Sequence, residues 1–173
     1  MTIYHELEPA YLLGDFTLQA AETGFVVEPE NDSSLSLGAW NKQGHQFYSG
    51  DVSYSQTFTI RRRVGRYTVE LPKWYGSVAE VKVNDTSAGF IAYQPWEIDV
   101  TRWIKNGRNE ISVIVTGTLK NLLGPHHAGT GLGAAWPRMF HQAPETGPPP
   151  GEKYHTVGYG LFEPFVLKQT TNE

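Results

Sequence analysis

Tryptophans in polar loops, with hydrogen-bond donors beside them, are the residues of this chain whose types could do chemistry on a ligand. Trp136 lies two residues from Arg138, Trp40 lies in a loop with Asn41 and Gln43, and Trp74 precedes Tyr75. The flat C–H face of a sugar ring packs on an indole, and a forked guanidinium donor reaches its hydroxyls. These loops therefore predict a carbohydrate-contacting surface, although Trp40 and Trp74 fit a core position equally well.

Catalytic and metal sites have weaker signals. Glycoside hydrolysis needs two carboxylates working as a pair, and neither Glu97 nor Asp99 has a partner at a readable spacing. Asp99 is predicted to cap a turn through backbone N–H groups. His126 and His127 are adjacent, so in an extended segment they point in opposite directions and do not form a zinc pair. No cysteine is present, which excludes disulfides and thiolate chemistry.

Composition sets further limits. The 173 residues fit one domain, 1–173, and the formal charge of −4 with a pI near 5.9 argues against a nucleic-acid partner. No run of residues has the length and hydropathy needed to span a bilayer, so no membrane association is expected. The N-terminal residues lack a signal-peptide pattern.

The elements that must position these side chains are strands. Apolar residues alternate with polar ones in 52–60, 67–71, 80–83 and 111–116, which is typical of sheets with one buried face. Turn residues separate the strands, including Asn84-Asp85, Gly65 and Asn106-Gly107. The sequence predicts an all-β, antiparallel β-sandwich of the jelly-roll type.

Residues 118–156 interrupt this alternation with many glycines and prolines, yet they retain aromatic and aliphatic side chains. We expect one long ordered loop packed over an end or face of the sandwich, with Pro148 to Pro150 exposed to solvent. The chain then returns to a bulged or edge strand in 157–168.

Several motifs resemble those of a known family. Residues 78–124 run through a strand, the Asn84-Asp85 turn, a second strand, a Pro-Trp-Glu-Ile-Asp-Val-Thr step, a Lys-Asn-Gly-x-Asn turn and a third long strand. Upstream, 48–54 resembles an entry into a core strand, and 12–16 and 37–40 resemble first strands. Together they resemble the sugar-binding, galactose-binding-like β-sandwich domain of family 2-type and rhamnosidase-like glycoside hydrolases.

The resemblance implies a fold and a role. In that family the catalytic carboxylates lie on a separate barrel domain, so no enzymatic activity is expected here. Because such a domain is normally one module of a long enzyme, the resemblance also implies an excised domain of a larger secreted, extracytoplasmic enzyme. It also places exposed aromatic and polar groups near Tyr93 and Gln94. No cofactor is expected, although a structural calcium held by scattered carboxylates and carbonyls stays an open alternative.

The hypothesis is a non-catalytic carbohydrate-binding module of a multidomain glycoside hydrolase, with a carbohydrate ligand and the parent catalytic domain as partners. The alternative is a purely structural accessory domain that packs on the catalytic domain. The predicted binding residues are Trp136, Trp40, Tyr93, Trp74, Arg138, Gln94 and His126.

Overall fold

The computed structural model describes residues 10, 12–29, 34–127, 139 and 147–171. Its strands are β1 (Phe16–Ala20), β2 (Phe25–Pro29), β3 (Asp51–Ile60), β4 (Arg66–Glu70), β5 (Trp74–Tyr75), β6 (Val78–Val83), β7 (Thr86–Ile91), β8 (Glu97–Asp99), β9 (Gly107–Thr116), β10 (Gly160–Leu161) and β11 (Val166–Thr170). The helix α1 (Lys120–Leu123) and two 3-10 turns, Trp40–Lys42 and Gly151–Lys153, are short.

Two antiparallel sheets form the predicted β-sandwich. One has the strand order β3-β9-β6-β7 and the other has the order β11-β4-β8, while β1 pairs with β2 and β5 with β10 in two small ribbons. The alternation read from the sequence is confirmed, because β6 alternates half-buried with buried residues and β3 alternates exposed with half-buried ones. Each strand therefore turns its apolar side chains toward the other sheet.

The core lies between these sheets. One buried cluster contains Tyr67 and Val69 of β4, Leu71 just after it, and residues of the larger sheet. The larger sheet contributes Ala79, Val81, Val83, Ile91, Ile111, Val113 and Val115. Burial of this apolar surface is the main source of stability for such a domain.

The Asn84-Asp85 hairpin turn is confirmed. Val83 pairs with Thr86, so two residues make the turn, and they have φ values of 49° and 64°. Positive φ at both central residues gives the twist that matches antiparallel strands, and Asn and Asp tolerate it better than most residues.

The sandwich has two ends, which we name for their residues. The arginine end carries the connections 61–65 and 100–106, since Ile60 pairs with Gly107 where β3 ends and β9 begins. The aromatic end is opposite and carries the connection 92–96 and the residues that follow Thr116.

Two expectations for the early strands are wrong. The strand β1 begins at Phe16, whereas residues 12–15 are not in a strand. Segment 37–40 makes only two ladder-like bonds, from Gly38 and Trp40 to the carbonyls of Leu161 and Tyr159. It then turns into a 3-10 helix that buries the Trp40 indole.

The long loop is partly described. After α1, residues 128–138 and 140–146 lie outside the described residues, so the prediction of one ordered loop is not tested there. Its last part hydrogen-bonds to the β1–β2 ribbon, where the carbonyl of Pro149 accepts from the Gly24 N–H at 2.8 Å. The one strand expected in 157–168 is wrong, because residues 162–165 separate two short strands, β10 and β11, that lie in different sheets. The expected edge position holds for β11, which is the outer strand of its sheet. No helix within the described ranges is long and apolar enough to cross a membrane.

Candidate functional site

The connection between β7 and β8 presents the most exposed aromatic side chain of the aromatic end. Tyr93 is 79% exposed, and Gln94 beside it is also exposed. The connection is held at its base, because the Pro95 carbonyl accepts from the Glu97 N–H at 2.7 Å and the Trp96 carbonyl accepts from the Leu71 N–H at 2.9 Å. Tyr93 and Gln94 are therefore presented on a fixed turn.

Trp74 lies under this turn through its contact with Trp96. The two indoles meet edge to face with centroids 5.4 Å apart, and both are half-buried against the core. Such aromatic pairs add about 0.5–1.5 kcal/mol beyond their buried area. The Nε1 of Trp74 is buried and has no hydrogen-bond partner in the described part of the chain. Trp74 thus supports the turn and keeps an unused donor close to it.

Trp40 is a core residue, and its assignment to a ligand surface is wrong. It is 1% exposed, and its Nε1 donates to the Tyr54 hydroxyl at 2.7 Å. Tyr48 and Tyr159 flank the indole at centroid distances of 5.9 and 6.1 Å. The polar residues around Trp40 in sequence suggested a surface loop, but the 3-10 turn rotates the indole inward. No ring face is left for a sugar.

His126 belongs to a separate aromatic cluster, made with Phe25, Phe47, His127 and Tyr154. Its ring lies 5.0 Å from Phe47, and His127 lies 4.6 Å from Tyr154. Its Nε2 is 2.7 Å from the Asn121 carbonyl, which can only accept, so Nε2 carries the proton of the neutral ring. Burial lowers the pKa of His126, and the same cause lowers the pKa of His127. His126 therefore holds the segment after α1 in place.

Trp136 and Arg138 lie outside the described residues. The structure brings together Tyr93, Gln94 and, through Trp96, Trp74. The ring of His126 instead contacts Phe47, His127 and Tyr154 in the separate aromatic cluster. The expected set therefore reduces, among described residues, to one turn with its aromatic support.

Asp99 and Glu97, the two acidic residues singled out by the sequence, have different surroundings. Asp99 accepts from the Thr101 N–H at 2.9 Å, as predicted for a capping residue. Hydrogen bonds from Thr101, aided by Arg66, lower the pKa of Asp99. Glu97 is exposed and pairs across the sheet with Glu70, which makes an ion pair with Lys168. Within the described ranges no three acidic or histidine side chains are grouped as metal ligands would be.

Sequence reasoning missed an apolar groove beside the β1–β2 ribbon. It has a volume of about 570 Å³, and Leu12, Leu13, Val27, Phe47 and Leu122 are among the residues that line it. Leu13 is 88% exposed and Leu12 67%. The sequence signal for this groove is the adjacent pair Val26 and Val27, which are both exposed. Successive residues of a strand point to opposite faces, so a ribbon with one buried face needs only one of the two to be apolar.

Comparison with known proteins is informative at the level of the fold. No protein-family model matches the sequence. A rhamnosidase from Novosphingobium sp. PP1Y has a similar structure, with a TM-score of 0.50 and 22% identity over 96% of this chain. The expected resemblance is confirmed. This chain is similar to the β-sandwich domain of family 2-type and rhamnosidase-like glycoside hydrolases.

Two further relatives are also glycoside hydrolases by name. A putative beta-glucuronidase of Formosa agariphila is 33% identical over 95 residues, which is 53% of this chain. A beta-D-mannosidase from Dictyoglomus thermophilum aligns over 91% of this chain, with 16% identity and a TM-score of 0.44.

The chain spans only a small part of these relatives. It covers 8% of the putative beta-glucuronidase, 16% of the rhamnosidase and 22% of the mannosidase. It is therefore similar to one domain-sized part of much longer enzymes.

Proposed function

We propose that this chain is a non-catalytic, carbohydrate-binding domain of a larger glycoside hydrolase. The similarity to a domain-sized part of such enzymes supports the accessory role. The observation that carries the binding role is the exposed Tyr93 on its fixed turn, with the Gln94 amide beside it.

A tyrosine ring held in solvent has the chemistry for stacking on a sugar. The flat face packs against C–H groups of the ring, and the adjacent amide offers both donors and an acceptor for hydroxyls. Because the turn is anchored at Pro95 and Trp96, little conformational entropy remains to be lost when a ligand binds. A mobile loop would lose part of its binding energy in becoming ordered.

The surroundings of Asp99 and Glu97 support the non-catalytic part of the proposal. A general acid needs a raised pKa, and the pKa of Asp99 is lowered by its hydrogen bonds to Thr101. Glu97 faces solvent on the outer side of β8, and its neighbour Glu70 is paired with Lys168. Neither Asp99 nor Glu97 lines the groove beside the β1–β2 ribbon.

Affinity electrophoresis in gels containing neutral polysaccharides tests the binding role. We expect at least one polysaccharide to retard the protein, and we expect Tyr93→Ala to weaken that binding by about 1–3 kcal/mol, as for an aromatic anchor at a recognition site. Tyr93→Phe keeps the ring face and is the matched control, expected to retain most of the affinity.

Thermal melting of the same variants separates binding from folding. Because Tyr93 is largely exposed, its loss should leave the melting temperature nearly unchanged. A Tyr93→Ala protein that binds every polysaccharide as the parent does, or that melts far below it, contradicts the proposal.

A second role is favoured by the apolar groove. Leu12, Leu13 and Val27 are aliphatic and exposed, which is the character of a surface that packs on another protein domain rather than on sugar. The alternative is thus a structural domain that docks on the catalytic domain through this groove. Absence of retardation on all polysaccharides, with a folded protein, favours this role.

A further inference from the structure

The arginine end concentrates positive charge on an acidic protein. Seven of the fourteen lysines and arginines lie in two short segments, 61–66 and 102–108, and neither segment contains an acidic residue. The seven are Arg61, Arg62, Arg63, Arg66, Arg102, Lys105 and Arg108, all exposed. The whole chain has a formal charge of −4, so this accumulation is local.

Hydrogen bonds hold the two segments together. The guanidinium of Arg63 donates to the Thr101 carbonyl at 2.9 Å, and the Arg63 N–H donates to the Asn106 side-chain oxygen at 2.6 Å. Gly107 pairs with Ile60 at the end of the β3–β9 ladder. The cations are therefore fixed near one another rather than scattered on free loops.

Few of these charges are neutralised. Arg66 pairs with Asp99 at 2.9 Å, and in the described part of the chain no other ion pair involves the seven cations. A shallow cavity of about 670 Å³ lies beside segment 61–66, lined by Val64, Gly65, Arg66, Asp99, Thr101 and Thr171. Like charges held close together repel one another, which destabilises the fold unless a counter-charge binds.

We propose that the arginine end binds an anionic polysaccharide through the carboxylate or sulfate groups of the glycan. Six of the seven cations are arginines, whose planar forks form paired hydrogen bonds to such oxyanions. The choice of a glycan rests on the proposed function, whereas the choice of a polyanion rests on the charge alone. The surface is opposite Tyr93, so it is a second site.

Nucleic acid fits this surface less well. Single-stranded nucleic acid needs aromatic platforms on which its bases stack. In segments 61–66 and 102–108 the aromatic residue is Trp103, which is half-buried with the Arg102 guanidinium 5.8 Å from its ring centroid. A spaced row of carboxylates or sulfates requires only the arginine forks.

Affinity electrophoresis on three forms of one backbone tests the proposal. The probes are neutral dextran, carboxymethyl-dextran and dextran sulfate, and a 20-base-pair DNA duplex is run in parallel. We expect retardation by one or both charged dextrans and not by neutral dextran. The form that retards distinguishes carboxylate from sulfate recognition. Retardation should weaken as salt is added, because exposed charge pairs are screened.

A triple variant, Arg61→Gln with Arg62→Gln and Lys105→Gln, removes three cations whose side chains make no hydrogen bond or ion pair with the described residues. At about 0.5 kcal/mol for each exposed charge pair, its affinity for the charged dextran should fall about tenfold. Lys42→Gln with Lys73→Gln and Lys153→Gln is the matched control. It makes the same change in net charge away from the arginine end and should bind as the parent does.

Three results overturn the proposal: no retardation by either charged dextran, equal loss in both triple variants, or DNA bound as tightly as the charged dextrans. Tyr93→Ala keeps the two proposals apart. It should lose neutral glycan binding and retain the charged dextran, so failure at either end leaves the other assignment standing.

Discussion

At the scale of single residues, Asn109 explains the Lys-Asn-Gly-x-Asn motif. Its side chain is fully buried, and its amide donates to the carbonyls of Lys105 and Gly107 at 2.8 and 3.1 Å. Its oxygen accepts from the Lys105 N–H at 2.9 Å and from the Asn84 amide at 3.2 Å. One amide thus connects the turn before β9 to the β6–β7 hairpin.

Replacing Asn109 should therefore be costly. Asn109→Ala leaves several buried backbone groups without partners, and we expect a loss of about 2–3 kcal/mol in the free energy of unfolding. Urea denaturation measures it. Glu110→Ala, one residue further and exposed, is the control and should change stability by less than about 0.5 kcal/mol. Equal effects of the two substitutions would show that Asn109 is not the link described.

Asn121 has a similar role at the aromatic end. Its side-chain NH2 donates to the Val157 carbonyl at 2.9 Å, and its side-chain oxygen accepts from the Val157 N–H at 2.6 Å, in the manner of a strand pair. It thereby fastens α1 to the segment leading to β10. Asn121 therefore has a structural role in this part of the chain.

At the level of elements, two glycines with positive φ lie at the starts of strands in the two different sheets. Gly65 precedes β4 with a φ of 71°, and Gly107 begins β9 with a φ of 89°. A Cβ at Gly65 would collide with the Thr170 carbonyl of β11, whereas one at Gly107 would meet nothing within 4 Å. An alanine at either position would strain the backbone, but only at Gly65 would it also collide with β11.

The pair makes a matched prediction. Gly107→Ala should cost about 1–2 kcal/mol, the usual penalty for a left-handed non-glycine residue. Gly65→Ala should cost clearly more, because β11 must also shift. Denaturation of both variants under the same conditions gives the difference. Equal costs would mean that β11 yields freely as an edge strand.

At the scale of the whole molecule, stability should fall with mild acid. Burial lowers the pKa of His126 below its ordinary 6.5, so the folded state binds a proton less readily than the unfolded chain. His127 shifts in the same direction. The contribution of the neutral rings is complete above pH 6.5 and is lost as the pH falls through the lowered folded values.

Urea denaturation between pH 7 and pH 5 measures this dependence. His126→Gln keeps a donor for the Asn121 carbonyl but does not titrate, so its stability should change less over that range. Asp99 does not interfere, because its lowered pKa places its own loss of stabilisation below about pH 4. An unchanged pH dependence in His126→Gln would assign the effect to other groups.

Much of the fold could be predicted from local patterns in the sequence. Strand alternation in β4, β6 and β9, the Asn84-Asp85 turn and the Asp99 cap were all predicted, because period-2 burial and turn chemistry depend on neighbours in sequence. The exposed Tyr93 turn was anticipated through the family resemblance and lies on the surface.

The site depended on distant contacts, which local pattern does not contain. Trp40 is buried because Tyr54 and Tyr159, 14 and 119 positions away, enclose its indole. The arginine end exists because the ladder between β3 and β9 brings residue 61 beside residue 107. Sequence alone was enough for the alternating strands β3, β4, β6 and β9, for their buried faces and for the overall charge. Tertiary structure decided which loops share an end, since strand pairing joins residues that are far apart in the chain.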